Sequence, residues 1–125
     1  MTLTEILAWY GLFMIATILM QVFAARAQVG DMTLMGTRED MPKLTGLAFR
    51  LDRAQANNTV AMALFAPAVL LLTAAPPASA LLAAQVFLAA RIGYVAVYAA
   101  GISILRTLIW LVGFAATGYL YVLSV

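Results

Sequence analysis

The chain has 125 residues, of which 66% are apolar and 10% are charged, and its mean hydropathy of +1.02 excludes a soluble globular protein. The net charge of +2 comes from few groups with no run of like charge, which excludes a nucleic-acid surface and a polybasic lipid-binding tail. The absence of Cys and His excludes disulfides, thiolate or imidazole metal ligands and the usual base at neutral pH.

Four apolar segments follow one another along the chain, each long enough to cross a hydrocarbon core of about 30 Å. They predict an all-α polytopic membrane protein, with four transmembrane helices in an antiparallel bundle that forms a single domain, residues 1–125. A bundle this thin would struggle to enclose a large ligand alone, which favours oligomerisation. The predicted helices cover about 3–26, 50–73, 79–100 and 104–124, and a loop at 27–49 joins the first two.

The end of the first segment, Ala25-Arg26-Ala27, superficially fits the cleavage site of a secretory signal. However, no Lys or Arg precedes the apolar run, and the run is longer than the roughly 7 to 15 residues of a signal's apolar region. We therefore expect the first segment to be a retained transmembrane helix.

The polar stretch after the first helix, 26–53, carries five of the seven basic residues, whereas the connection at 74–78 carries none. Because basic residues in short loops stay on the cytoplasmic side, we expect the long loop to be cytoplasmic and both termini to lie across the membrane. Short loops and the lack of a targeting signal favour a bacterial inner membrane. Within the loop, residues 38–43 allow a short helical turn.

Polar residues enter the bilayer at the start of the second helix. Arg53, Asn57 and Val60 share one helical face, so a guanidinium and a carboxamide point in the same direction. Because an unpartnered amide in lipid is energetically costly, Asn57 should bond another helix or a bound ligand. For Arg50, the favoured interpretation is that its side chain snorkels to lipid phosphates.

In the third helix, Arg91 lies roughly 13 Å before the predicted cytoplasmic end, where a guanidinium is costly. Tyr94 and Tyr98 follow on the same stripe, which should face the bundle or a wet cavity. Two alternatives stay open. The tyrosines would also suit the membrane interface, and Arg91 would also suit a structural bridge to Asn57 or Asp52.

Arg106 opens the fourth helix, where the helix macrodipole disfavours a cation, so another group should compensate for it. Positive-inside anchoring explains this arginine, but Arg26, Arg53 and Arg91 lie at comparable depth. Together the four guanidiniums predict an anion site. Such a pocket suits carboxylates on a peptide-like ligand, or a thiolate that the ligand supplies.

These residues resemble the hallmarks of the MAPEG family, the membrane-associated proteins in eicosanoid and glutathione metabolism, in a bacterial-type form. The family's second helix carries Arg, Ala, two variable residues, Asn, two variable residues and Glu, with a Phe five positions later. Residues 53–60 here read Arg-Ala-Gln-Ala-Asn-Asn-Thr-Val. The further matches are Gln21-Val22, Arg26, Phe65, Arg91, Tyr94, Tyr98 and Arg106.

The resemblance implies a homotrimer of four-helix chains that binds glutathione, as co-substrate and without a metal, between neighbouring subunits near the cytoplasmic face. Arg106 would be catalytic, because its guanidinium would stabilise the glutathione thiolate and lower the thiol pKa. The sulfur would then attack an electrophile or reduce a hydroperoxide. The glutathione-binding residues implied are Arg26, Arg53, Gln55, Asn57, Arg91, Tyr94 and Tyr98.

Val60 replaces the family's glutamate, and Ala61 stands where catalytic members often have an aromatic residue. That glutamate meets the amino end of glutathione, so its loss costs ~1.5 to 3 kcal/mol, or roughly ten- to hundredfold in affinity.

Two main hypotheses follow. The first is a glutathione-dependent transferase or peroxidase acting on small apolar electrophiles from the bilayer. The second is a non-catalytic lipid-binding or scaffolding subunit of a larger membrane complex. A third and less favoured hypothesis is a small transporter, which would need a membrane-embedded carboxylate. Glu5 is the only acidic residue near the interior of a span.

Overall fold

The computed structural model describes all 125 residues and contains helices but no strands. Four of the helices are long and apolar enough to cross a membrane. This confirms the predicted all-α, four-helix polytopic architecture. The helices are α1 (Leu3–Val29), α2 (Asp31–Met35), α3 (Gly46–Leu72), α4 (Ala78–Ala99) and α5 (Ser103–Ser124).

The start of α1 is fixed by a capping box. The backbone N–H of Glu5 donates to Oγ1 of Thr2 at 3.2 Å, and the backbone N–H of Thr2 donates to Oε2 of Glu5 at 2.7 Å. This exchange satisfies N–H groups that a helix start otherwise leaves without partners. The Glu5 carboxylate thus has a local structural partner, which weakens the transporter hypothesis.

The chain between α1 and α3 differs in detail from the sequence prediction. Gly30 adopts a φ of 86°, which ends α1 three residues beyond position 26, and the next residue begins α2. Residues 38–41 form a single turn, in which Met41 N–H donates to the Arg38 carbonyl at 3.2 Å. A longer helix is disfavoured there because Arg38 has a φ of 64° and Pro42 restricts the residue before it.

A side-chain clamp joins the end of α1 to the start of α3. Oε1 of Gln28 accepts from the Thr45 N–H at 2.9 Å, and Nε2 of Gln28 donates to Oγ1 of Thr45 at 3.0 Å. The clamp places Gly46 beside α1, and α3 begins there, four residues before the predicted position 50. The added turn buries Ala48.

Aromatic side chains form the centre of the bundle where α1, α3 and α4 meet. The rings of Phe65 and Phe87 stack with centroids 3.8 Å apart, and Tyr10 packs edge-on against both. A smaller cluster nearer the α3 start packs Leu51 and Ala54 against Tyr94. These two clusters set the rotation of α4 against α3, which decides the side chains that face α5.

Candidate functional site

A cavity of about 440 Å³ lies between α3, α4 and α5. Each helix contributes one face, because the lining positions recur every three or four residues. The predicted face of Arg53, Asn57 and Val60 forms the α3 wall. No acidic residue lines the cavity. The remaining lining residues are Ala56, Tyr94, Tyr98, Arg106, Thr107 and Trp110.

Two guanidiniums line this cavity without a carboxylate partner. The only ion pair in the structure joins Arg26 to Asp31, so neither Arg53 nor Arg106 is neutralised. The Arg106 guanidinium carbon lies 4.6 Å from the ring centroid of Tyr98. This cation–π contact supplies the compensation that a cation at a helix N-terminus was expected to need. Both guanidiniums keep hydrogen-bond donors available for an anion.

Arg91 lies behind the cavity wall and is only 2% exposed. Its Nη2 donates to Oδ1 of Asn57 and to Oδ1 of Asn58, both at 2.7 Å, and its guanidinium carbon lies 4.3 Å from the Tyr94 ring centroid. The arginine therefore faces the bundle, and it forms the interhelical bridge to Asn57 that the sequence left open. Asp52 does not take part, because it lines a different cavity.

Asn58 is a polar residue that the sequence reasoning missed. It is 1% exposed, and its Oδ1 also accepts from the Tyr10 hydroxyl at 3.0 Å and from Nε of Arg91 at 3.0 Å. Its Nδ2 has no hydrogen-bond partner. The signal that could have found it is its register, because Asn58 falls on the buried stripe of α3 that includes Ala54 and Phe65.

Two of the predicted site residues lie away from this cavity within one chain. Arg26 pairs with Asp31 and lines a second cavity of about 310 Å³ that also includes Gln21 and Asp52. The physical reason is that α1 packs on α3 and α4, and none of its Cα atoms lies within 8 Å of a Cα atom of α5. Gln55 is half-buried on a different face of α3 and lines neither cavity. One chain thus gathers three of the four predicted arginines, Arg53, Arg91 and Arg106.

We call the cavity that Arg53 and Arg106 line the main cavity. An apolar extension continues from it between α3 and α5. It has a volume of about 100 Å³ and shares Asn57, Val60 and Trp110 with the main cavity. The other lining residues are mostly apolar and include Ala61 and Phe114. The combined space can hold a molecule with an anionic group beside the arginines and an apolar group toward the middle of the bundle.

The model of the MAPEG family matches residues 6–125 of the chain. The matched region contains every residue that lines the cavity and its extension. Comparison with curated proteins and with solved structures found no match.

Proposed function

The chain belongs to the MAPEG family and is an integral membrane protein, and from that premise we propose that it is a glutathione-dependent transferase or peroxidase. Glutathione occupies the main cavity as co-substrate. Its thiolate attacks a small apolar electrophile, or reduces a hydroperoxide, that arrives from the bilayer.

The observation that carries this proposal is the pair of unneutralised guanidiniums on an acid-free cavity, Arg53 and Arg106. Glutathione presents two carboxylates and a thiol, and a guanidinium binds a carboxylate through two parallel charge-assisted hydrogen bonds. Arg53 and Asn57 bind the carboxylates, and Arg106 faces the sulfur. A cation at the sulfur favours the thiolate, which is the nucleophilic form, over the thiol.

The apolar extension supports the second half of the reaction. An electrophile from the bilayer would lie against Val60, Trp110 and Phe114, next to the cavity where the thiolate is held. Holding the two reactants side by side lowers the entropic part of the barrier. In the transferase reaction, the sulfur bonds to the electrophilic carbon and the leaving group departs with the electron pair. In the peroxidase reaction, the thiolate attacks the terminal oxygen, the O–O bond breaks and an alcohol leaves; a second glutathione then reduces the sulfenic acid, which gives the disulfide and water.

Calorimetric titration of glutathione into the full chain in lipid nanodiscs tests the proposal. Arg53→Ala is expected to raise the Kd at least about tenfold, because a charge-assisted pair contributes about 1.5 kcal/mol or more. Arg106→Ala is expected to abolish the ultraviolet absorbance of bound thiolate together with conjugation of chlorodinitrobenzene. Lys43→Ala is the control, because this cation is exposed and lines neither cavity. No binding at millimolar glutathione to correctly assembled protein would end the proposal.

The assembly we propose is a homotrimer with its sites between neighbouring copies. In support, an entirely apolar groove of about 750 Å³ on α1, α3 and α4 has no partner within one chain. Arg26 is also exposed and lies away from the main cavity of its own chain, so it is available to the site of a neighbouring copy. Native mass spectrometry in mild detergent is expected to give three chains, and a monomer that still binds glutathione would contradict the arrangement.

The orientation we propose places the long loop in the cytoplasm and both termini across a bacterial inner membrane. The natural chain has no cysteine, so single cysteines introduced at Lys43 and Ala75 report the side of each loop directly. A membrane-impermeant maleimide added to intact cells is expected to label position 75 and to spare position 43. The reverse pattern would invert the topology.

A second candidate function is a non-catalytic subunit that binds lipid or scaffolds a larger membrane complex. Val60 and Ala61 favour it, because both line the apolar extension and neither offers a polar group to glutathione. A lipid or protein that copurifies, together with unchanged behaviour of Arg106→Ala, would decide for this function. Loss of transferase or peroxidase activity in that variant would decide against it.

A further inference from the structure

A chain of hydrogen bonds leads from α1 to the wall of the main cavity. The Tyr10 hydroxyl donates to Oδ1 of Asn58 at 3.0 Å and to the Asn58 carbonyl at 3.1 Å. Oδ1 of Asn58 accepts from two nitrogens of Arg91, and Nη2 of Arg91 donates onward to Oδ1 of Asn57. Of these four residues, only Asn57 reaches the cavity.

The chemistry of arginine fixes the orientation of the Asn57 amide. A guanidinium has donors and no acceptor, so the amide atom that meets Arg91 at 2.7 Å must be the oxygen. The Nδ2 group of Asn57 therefore lies on the side of the amide away from Arg91. Because Asn57 lines the cavity, this residue offers the ligand a donor.

The partners of Asn58 keep Arg91 in place. Its single side-chain oxygen accepts one bond from Tyr10 and two from Arg91, while its Nδ2 is buried without an acceptor. A buried donor without a partner lowers stability, and such a group in a native structure calls for an explanation. An apolar residue would continue the buried stripe of α3 without that loss. The need to hold Arg91 in place explains why an asparagine occupies this buried position.

We infer that Tyr10 and Asn58 are positioning residues for the ligand site. They hold Arg91, and Arg91 turns the Asn57 amide so that its Nδ2 donates to a carboxylate or a peptide carbonyl of the ligand. The ligand group at this position is accordingly a hydrogen-bond acceptor. This inference rests on the proposed glutathione site, because the ligand it positions is the one proposed there.

The test compares two conservative substitutions that each remove one phenol hydroxyl that donates to α3. Tyr10→Phe removes the bonds to Asn58 and keeps the ring packed on Phe65 and Phe87. Tyr121→Phe is the matched control, because the Tyr121 hydroxyl donates to the Leu64 carbonyl at 2.7 Å and lines neither the cavity nor its extension. The glutathione Kd and the Tm of each variant are measured on the full chain in nanodiscs.

We expect Tyr10→Phe to raise the Kd about threefold to tenfold, the equivalent of one lost hydroxyl donor, and Tyr121→Phe to change it less than about twofold. Asn58→Ala, as a second variant, is expected to raise the Kd about tenfold or more. In an Asn57→Ala background, Tyr10→Phe is expected to add less than about twofold, because its effect passes through Asn57.

Three results would overturn the inference, and they are distinguishable. Equal Kd values for Tyr10→Phe and Tyr121→Phe would show that Tyr10 contributes to packing alone. A full additional effect of Tyr10→Phe in the Asn57→Ala background would show that Tyr10 does not act through Asn57. Wild-type protein that does not bind glutathione would remove the proposed function as well.

Discussion

Replacing Val60 with glutamate is expected to tighten glutathione binding. Val60 is 61% exposed, lies one turn beyond Asn57 and lines both the main cavity and its apolar extension. A glutamate there can reach the ligand without displacing core side chains. It gives the glutathione ammonium a carboxylate partner in a cavity that otherwise has none.

The magnitude follows from two opposing contributions. A charge-assisted hydrogen bond to the ammonium contributes ~1.5 to 3 kcal/mol. Against it, the new carboxylate also attracts Arg53 and Arg106, and a solvent-exposed ion pair of this kind contributes about 0 to 1 kcal/mol that ligand binding must offset. The net gain is about 0.5 to 3 kcal/mol, so the Kd is expected to fall at least about twofold and at most about 150-fold.

The assay is calorimetric titration of Val60→Glu with glutathione and with N-acetylglutathione, whose nitrogen carries no charge. Val60→Gln serves as the control, because it has a similar length without the negative charge. The gain is expected for glutathione with Val60→Glu only. An unchanged or weaker affinity for glutathione would refute the reasoning, and so would an equal gain for both ligands.

Two further changes separate the contributions of the core and of the site. Phe87→Ala leaves a space beside Phe65 and Tyr10 and is expected to lower the free energy of unfolding by about 3 to 5 kcal/mol. Denaturant titration in detergent measures this loss. A loss under about 1 kcal/mol would contradict the packing described. Arg106→Lys keeps the positive charge but loses the planar guanidinium and its contact with the Tyr98 ring. Glutathione binding is expected to persist, while the rate of conjugation falls about tenfold or more. An unchanged rate would show that charge alone suffices at this position.

The fold was predictable because the length and number of the apolar segments are properties of the sequence itself. The details that escaped prediction depend on contacts between distant residues. The earlier start of α3 is tied to the clamp between Gln28 and Thr45, which are 17 positions apart. Similarly, the short α2 begins where Gly30 turns the chain and Asp31 pairs with Arg26.

The site was predictable to the level of helical faces and no further. Spacing alone places Arg53, Asn57 and Val60 on one side of α3, and the structure agrees. The rotation of α4 against α3 is set by aromatic packing, so spacing could not tell that Arg91 bonds Asn58 as well as Asn57. The separation of Arg26 from Arg106 depends on the distance between α1 and α5, whose backbones do not approach within 8 Å, and this is likewise a property of the packed bundle.

The burial of Arg91 makes α4 dependent on a neighbouring helix. Arg91 lies eight residues before the end of α4, and an arginine near the centre of a single helix opposes insertion by about 2.5 to 3.5 kcal/mol. Its acceptors, Asn57 and Asn58, are on α3, which is joined to α4 by only five residues, 73–77. Asn57 and Asn58 thus offset part of this cost wherever α3 and α4 lie side by side as a hairpin, so the stability of α4 in the membrane depends on α3.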